Sequence, residues 1–172
     1  IAVDVLGIAI GANTAIFTLV NEVLLRPLSG RASELVGVYR HDRVVPDSYQ
    51  PFPYATYVDV RDRADMFDAL MAHTFTLVGT PAGEGMRRSL AAVVASNYFD
   101  TLGGKLGAGR RFSPDEERPG ARIPVAIVTD ARWQQEGRDP AFIGKTIRIN
   151  AIDATVVGVA PEGFTGTMAL VS

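Results

Sequence analysis

Residues 145–159 (KTIRINAIDATVVGV) decide how the C-terminal part of this chain folds. The segment 145–150 alternates polar or charged residues with apolar ones, which is typical of a strand with one buried face. The segment 154–159 is a second β-rich run. The two segments therefore predict a β-hairpin that turns near Asn150.

Shorter signals upstream of this hairpin predict a strand and two helix starts. The run 124–128 (PVAIV) is typical of a short buried strand, and Thr129 or Asp130 after it can cap the next helix. The pair 139–140 is Asp-Pro, a capping residue followed by a proline at the first helical position.

An acidic cluster at 115–117 (DEE) admits a structural or a metal-binding interpretation. A hard cation needs several oxygens that converge from a loop. The spacing fits a helix cap better, with Ser113 as the N-cap, Pro114 at the first helical position and Glu116 reaching back to the N-cap amide. We predict a capping box here and no metal site.

The first half of the chain predicts alternating strands and helices. The predicted elements are a strand at 35–40 (LVGVYR), a helix that starts near Tyr54, strands at 72–79 and 86–95, and a helix from Ser96 that ends at Gly103 and Gly104. A stripe of apolar residues at helical spacing predicts the core-facing side of the first helix: Tyr54, Tyr57, Val58, Phe67 and Leu70.

The N-terminal segment 1–28 differs from the rest of the chain. It carries no charge from Val5 to Val20, and Pro27 ends its helical pattern. A membrane-spanning helix needs roughly 20 apolar residues, so the run is short unless the span begins upstream of Ile1. We predict a transmembrane helix at 1–28, truncated at its start, and a separate domain at 29–172. A buried helix of a soluble core is the alternative.

Composition excludes several classes of protein. The chain has 172 residues, 17 Lys and Arg against 19 Asp and Glu, and no cysteine. The net charge of −2 supplies no basic field for nucleic acid. The absence of cysteine excludes disulfides, thiol nucleophiles and thiolate metal sites, and His41 and His73 are too few for a multi-histidine cage.

No catalytic constellation is present in the sequence. The chain has no Gly-x-Ser-x-Gly motif, and its glycine-rich stretch at 103–111 lacks a Walker A pattern, so we predict a connector there. We expect His41 to be a solvated loop residue. His73 lies in a predicted strand, either as an exposed-face residue or as a core histidine with its hydrogen bonds satisfied. We expect Arg87 and Arg88 to lie on a solvated strand face, and contact with lipid headgroups or a partner is the alternative. The sequence predicts no enzyme activity, no catalytic residue, no cofactor and no metal.

Four segments, taken in order, resemble one known family. They are 11–28 (GANTAIFTLVNEVLLRPL), 54–70 (YATYVDVRDRADMFDAL), 96–120 (SNYFDTLGGKLGAGRRFSPDEERPG), and the pair 144–150 and 155–166 (GKTIRIN, TVVGVAPEGFTG). Together they resemble the MacB-like periplasmic core domain of FtsX-type ABC transporter permeases, in particular the long permeases with duplicated halves that are common in acidobacteria. The family usually has Asn-Gly where this chain has Asn150-Ala151. Since alanine tolerates positive φ poorly, we expect a different turn type.

The resemblance implies an α+β fold and a place in the bacterial inner membrane. It implies that 1–28 crosses the membrane among lipids, and that 29–172 is a periplasmic, porter-like βαβ domain with a small strand-rich subdomain, incomplete in this chain. Its implied partners are an ABC ATPase subunit, which would bind the ATP, and a second permease half or a second copy, with no nucleic acid. The implied function is to relay ATP-driven motion to a substrate or a partner protein.

Two other classes of protein remain open at this stage. One is a soluble α+β enzyme whose active site lies outside this segment. The other is a ligand-binding module with a pocket between two subdomains.

Overall fold

A computed structural model describes residues 35–41, 49–63, 65–82 and 85–167 of the chain. The transmembrane helix predicted at 1–28 lies outside these ranges. Within them, the longest helix has 10 residues, and no helix is long and apolar enough to cross a membrane.

Four helices and eight strands make up the described chain, and they form a mixed α and β fold. The helices are α1 (Tyr54–Arg63), α2 (Tyr98–Thr101), α3 (Pro114–Glu117) and α4 (Asp130–Gln135), with a 3-10 turn at Pro140–Phe142. The strands are β1 (Arg40–His41), β2 (Tyr49–Gln50), β3 (His73–Ala82), β4 (Gly85–Val94), β5 (Ala108–Gly109), β6 (Val125–Val128), β7 (Thr146–Ile149) and β8 (Ile152–Val159).

Strand β8 is the centre of a four-stranded sheet. Its first half pairs antiparallel with β7, its end pairs antiparallel with β5, and β6 pairs parallel with it on the other side. The parallel pair requires a crossover, which α4, the 3-10 turn and β7 provide. Val156 and Val159 of β8 are 0% exposed, because they pack in one cluster with Val128 and Phe142, and Trp133 and Ile147 lie against that cluster.

The hairpin predicted at 145–159 is confirmed, and so is its unusual turn. Ile149 pairs with Ile152, which leaves a loop of Asn150 and Ala151. Asn150 has a φ of 55°, whereas Ala151 stays at negative φ. A type I′ turn requires positive φ at both positions. The turn is therefore of another kind, because only the asparagine adopts the left-handed conformation.

Local helix signals in the second half of the sequence are confirmed. Thr129 caps α4 by accepting a hydrogen bond from the Arg132 amide at 3.2 Å. Asp139 caps the 3-10 turn in the same way: its Oδ1 accepts a hydrogen bond from the Ala141 amide at 2.8 Å. Each of these signals joins groups two or three residues apart, so the local sequence is sufficient to fix it.

The glycine-rich stretch at 103–111 is a connector, as predicted, and part of it is also a strand. Gly109 lies in β5 at a φ of 77°, and a Cβ there would come within 2.4 Å of the Val157 carbonyl oxygen. On β8, a Cβ on Gly158 would come within 2.7 Å of the Arg110 carbonyl oxygen. The glycines therefore allow two main chains to approach each other closely.

The two strands predicted at 72–79 and 86–95 form a longer hairpin than expected. They pair antiparallel from His73 opposite Val94 to Ala82 opposite Gly85. Pro81, which lies between the two predicted strands, belongs to β3 and lies opposite Met86. Gly79, two residues away on the same side of the ladder, directs its amide and carbonyl out of the hairpin. Pro81 shares that outward register, so its missing N–H removes no bond to β4.

Two predictions for the first half are wrong in extent. Of the strand predicted at 35–40, only Arg40 belongs to a strand, and residues 35–39 lie outside the strands. The helix α1 starts at Tyr54 as expected but ends at Arg63, so Phe67 and Leu70 lie beyond it. Tyr57 is buried, whereas Tyr54 is 43% exposed. The predicted stripe continues past the helix end because periodicity alone does not mark where a helix stops.

Candidate interaction surface

Exposed hydrophobic side chains are concentrated on the β3–β4 hairpin. Leu77, Met86, Leu90 and Val93 are 52–65% exposed. Leu77 lies directly opposite Leu90 in the ladder. A cross-strand pair of this kind normally lies against a core, so its exposure marks a surface that can take a partner.

One face of the hairpin combines these apolar groups with positive charge. Successive residues of a strand point to opposite faces, so Leu77, Met86 and Leu90 share one face with Arg88. Arg87 lies on the opposite face, and both arginines are exposed, as predicted. We call Leu77, Met86, Arg88 and Leu90 the hairpin face. Its chemistry suits an apolar partner with acidic or neutral groups at its edge.

The hairpin joins the four-stranded sheet through Asn150. The Asn150 amide donates to the Gly79 carbonyl at 2.8 Å, and the Gly79 amide donates to Asn150 Oδ1 at 2.7 Å. Next to this contact, Val78 is buried. Because Asn150 adopts the left-handed conformation, both its main-chain amide and its side-chain oxygen reach Gly79 at the edge of β3.

At its base, the hairpin packs against the aromatic core. The His73 ring lies 5.5 Å from the Phe75 ring and 6.1 Å from the Tyr98 ring, measured between centroids. Partial burial beside these rings lowers the pKa of His73. The His73 side chain as a whole is exposed, so it is the exposed strand-face residue of the two predicted alternatives and not a core histidine. His41, expected in a loop, lies in β1 opposite Tyr49.

A partly buried carboxylate, Glu117, joins three elements of the fold. Its Oε2 accepts from the Ser96 hydroxyl at 2.6 Å and from the Ser96 amide at 2.8 Å. Its Oε1 accepts from the Tyr54 hydroxyl at 3.0 Å and lies 3.8 Å from Arg61 Nη1. Burial alone would raise the pKa of Glu117, but the Ser96 donors, Tyr54 and Arg61 outweigh it and hold that pKa below its ordinary value.

The capping box at Ser113 is confirmed. The Ser113 hydroxyl accepts from the Asp115 amide at 3.4 Å, and Glu116 Oε2 accepts from the Ser113 amide at 2.7 Å. Arg110 also donates two hydrogen bonds to the Glu116 carboxylate, from Nη2 to Oε1 at 2.6 Å and from Nη1 to Oε2 at 3.2 Å. This guanidinium lowers the pKa of Glu116.

The three adjacent carboxylates of the predicted cluster have different partners. Asp115 pairs with Arg118 at 3.0 Å, Glu116 with Arg110, and Glu117 with Ser96 and Tyr54. The cluster therefore does not converge on one point, and each carboxylate connects two parts of the chain. Over the described ranges, no group of three or more His, Asp or Glu side chains is placed to hold a metal ion.

Sequence reasoning did not find the Glu117 junction or the Asn150 contact. Glu117 bonds residues that are 21 and 63 positions away, and Asn150 bonds a residue 71 positions away. The positive φ expected of an asparagine in a two-residue turn was the available signal for Asn150. For Glu117, the sequence contains no signal of its distant partners beyond its place in the acidic cluster at 115–117.

The geometry defines a mixed α and β domain with an exposed apolar hairpin and polar clusters that connect its elements. Residues 2–172 match the family of MacB-like periplasmic core domains, and the chain belongs to that family. A search of curated protein sequences finds no significant match.

Two solved structures share the fold. One is the periplasmic region of MacB from Actinobacillus actinomycetemcomitans, with a TM-score of 0.51 and 17% identity over 64% of this chain and 51% of that one. The other is the extracellular domain of the noncanonic ABC-type transporter YknZ from Gram-positive bacteria, with a TM-score of 0.52 and 17% identity over 63% of this chain and 57% of that one. The chain thus spans a little over half the length of these domains.

Proposed function

We propose that this chain is the extracytoplasmic part of an ABC transporter permease subunit. In this proposal, residues 1–28 cross the inner membrane among lipids, and residues 29–172 form a periplasmic domain with a porter-like βαβ part and a smaller strand-rich part. The family match over 2–172 is the observation that carries the proposal. The uncharged run from Val5 to Val20 supports the membrane assignment.

The proposed role is mechanical. An ABC ATPase partner in the cytoplasm binds and hydrolyses ATP, the membrane helices move, and the periplasmic domain passes that motion to a substrate or a partner protein. To transmit motion, the domain needs rigid contacts between its secondary-structure elements. The two hydrogen bonds between Gly79 and Asn150 and the Glu117 junction supply such connections within the domain.

The hairpin face is the best candidate for the surface that meets the partner. It projects Leu77 and Leu90 into solvent, with Arg88 beside them, while Asn150 holds the same hairpin to the sheet. In the working protein, that partner is a second permease half, a second copy of the chain or another periplasmic protein.

The topology of the full chain tests this function. The chain is expressed in bacteria with a C-terminal tag and compared with a matched 29–172 variant. We expect the full chain to stay in the membrane pellet after a carbonate wash, the shorter variant to leave it, and the tag to be cleaved by protease added to spheroplasts. Release of the full chain by carbonate, or a tag protected from external protease, would contradict the proposal.

A further inference from the structure

The outer edge of β4 presents main-chain hydrogen-bonding groups. The main chain of Gly79 bonds Asn150 and so points away from β4, and hydrogen bonding alternates along an antiparallel pair. The β4 residue opposite Gly79 is Arg88, so its own N–H and C=O point away from β3. The same holds for every second residue of the strand. Over the exposed part of β4 these outward residues are Met86, Arg88, Leu90 and Ala92.

Among the described residues, this edge bonds no further strand. Strand β4 pairs with β3 alone, and no main-chain hydrogen bond from another described element reaches residues 85–92. A strand edge with a row of open N–H and C=O groups is a template for an added strand. Lipid hydrocarbon covers apolar side chains but cannot bond these groups. The edge therefore favours a polypeptide as its partner.

The two arginines of β4 give this edge a positive charge that the hairpin strands do not compensate. Neither β3 nor β4 contains an acidic residue. Arg87 and Arg88 are exposed and form no ion pair with any residue in the described ranges. Arginines elsewhere in the fold do have carboxylate partners; they are Arg110, Arg111, Arg118, Arg132 and Arg138. The charge complement of the β4 edge is therefore an acidic segment.

We propose that β4 binds an extended segment of a partner protein, which adds to its outer edge as an antiparallel strand. Partner residues opposite Met86, Leu90 and Ala92 then lie on the hairpin face and are apolar. The two residues opposite Arg88 and Arg87 are acidic, one on each face of the enlarged sheet. In the order from Ala92 to Met86, the recognised segment reads apolar-x-apolar-x-acidic-acidic-apolar.

Strand addition deepens the role proposed for the hairpin face. That the partner belongs to the transporter rests on the proposed function, whereas the binding mode rests on the geometry of β4. On the other side of the hairpin, Asn150 bonds β3 to the four-stranded sheet. Motion of the domain would then reach the partner through Asn150, β3 and β4, by hydrogen bonds at each step.

A synthetic peptide tests the proposed partner chemistry. The peptide TVTVTDDVT carries the pattern and places its aspartates opposite Arg88 and Arg87. Fluorescence polarisation measures its binding to the full 172-residue chain in a neutral detergent. We expect the peptide TVTVTKKVT to bind about tenfold more weakly, and the double variant R87E/R88E to reverse this preference. Both arginines are exposed, so we expect the double variant to fold.

Methylated peptides test the strand edge itself. In the proposed register, the amides of the second valine and the first aspartate of TVTVTDDVT point towards β4, whereas those of its second and third threonines point away. Methylation of the first two amides removes two hydrogen bonds to β4. It should therefore weaken binding about tenfold more than methylation of the other two.

Every result of these experiments decides the proposal. Preference for the acidic peptide, together with the selective loss on methylation, supports it. Equal binding of the acidic and lysine peptides, equal losses from the two methylations, or no binding at all overturns it.

Hydrogen exchange without peptide identifies the other occupants. Slow exchange of the Leu90 amide in detergent alone would show that the chain or a second copy already covers the edge. Slowing that appears only on addition of phosphatidylglycerol would assign the edge to the membrane. Both results overturn the proposal. A chain that binds the peptide as expected but is released by carbonate would keep the strand addition and refute the permease role.

Discussion

The β3–β4 hairpin and the four-stranded sheet are built from similar sequence but are stabilised differently. In the sheet, β8 has partners on both sides, and Val156 and Val159 lose all contact with water. In the hairpin, two ten-residue strands pair only with each other among the described residues, and Val93 and Leu77 stay exposed. A two-stranded hairpin is only marginally stable by itself, so the hairpin depends on its base and on Asn150.

The largest effect that separates the two environments is the loss of a buried leucine. Leu102 is 3% exposed and packs with Phe99 and with Ala160, directly after β8, whereas Leu77 on the hairpin is 65% exposed. We expect Leu102→Ala to lower the free energy of unfolding by about 2–5 kcal/mol, because it leaves a cavity. The matched Leu77→Ala should change it by less than about 0.5 kcal/mol.

Urea denaturation of both variants measures this difference. Equal losses in the two variants would show that Leu77 is covered in solution, and the contrast between hairpin and core would then be wrong.

The elements that the sequence predicts well are those whose signals are local. The caps at Ser113, Thr129 and Asp139 each join groups two or three residues apart, and all three are present in the structure. The hairpin at 145–159 is also local, because a two-residue turn connects its strands.

The features that the sequence does not predict depend on distant partners. The segment 35–39 has a strand composition, but strand pairing is decided by a neighbouring edge and not by composition. Glu117 belongs to a capping-box sequence, yet its bonds go to Ser96 and Tyr54. The hairpin face could not be identified either, because exposure is a property of the whole fold.

Substitutions of Asn150, which connects the hairpin to the sheet, should have an intermediate effect on the free energy of unfolding. Asn150→Ala removes the side-chain acceptor of the Gly79 amide and places alanine at positive φ, so we expect a loss of about 1–3 kcal/mol. Asn150→Gly keeps the conformation and loses only the acceptor, so its loss should be smaller, about 1 kcal/mol. Asn150→Asp retains both and should stay within about 0.5 kcal/mol of the unchanged chain.

Hydrogen exchange locates this effect. In Asn150→Gly, the Gly79 amide should exchange faster while the Val156 amide in the sheet core keeps its protection. Faster exchange at both amides would show that the hairpin and the sheet open together, and that Asn150 is not a separate connection.

The smallest effect is a pH dependence at the Glu117 junction. Its pKa in the folded chain lies below the ordinary value of about 4.3 that the unfolded chain has. Between the two values the unfolded chain binds more protons, so the stabilisation is complete above about pH 4.3 and is lost as the pH falls through the folded pKa. One carboxylate contributes a slope of at most about 1.4 kcal/mol per pH unit.

Urea denaturation from pH 6 to pH 3 measures this slope. The free energy of unfolding should therefore depend less on pH in Glu117→Gln than in the unchanged chain. Ser96→Ala, which removes the hydroxyl donor at 2.6 Å, should lie between the two. Equal slopes in all three proteins would show that Glu117 is solvated in the folded state, and the junction between α1, α3 and the turn before α2 would then contribute nothing to the rigidity of the domain.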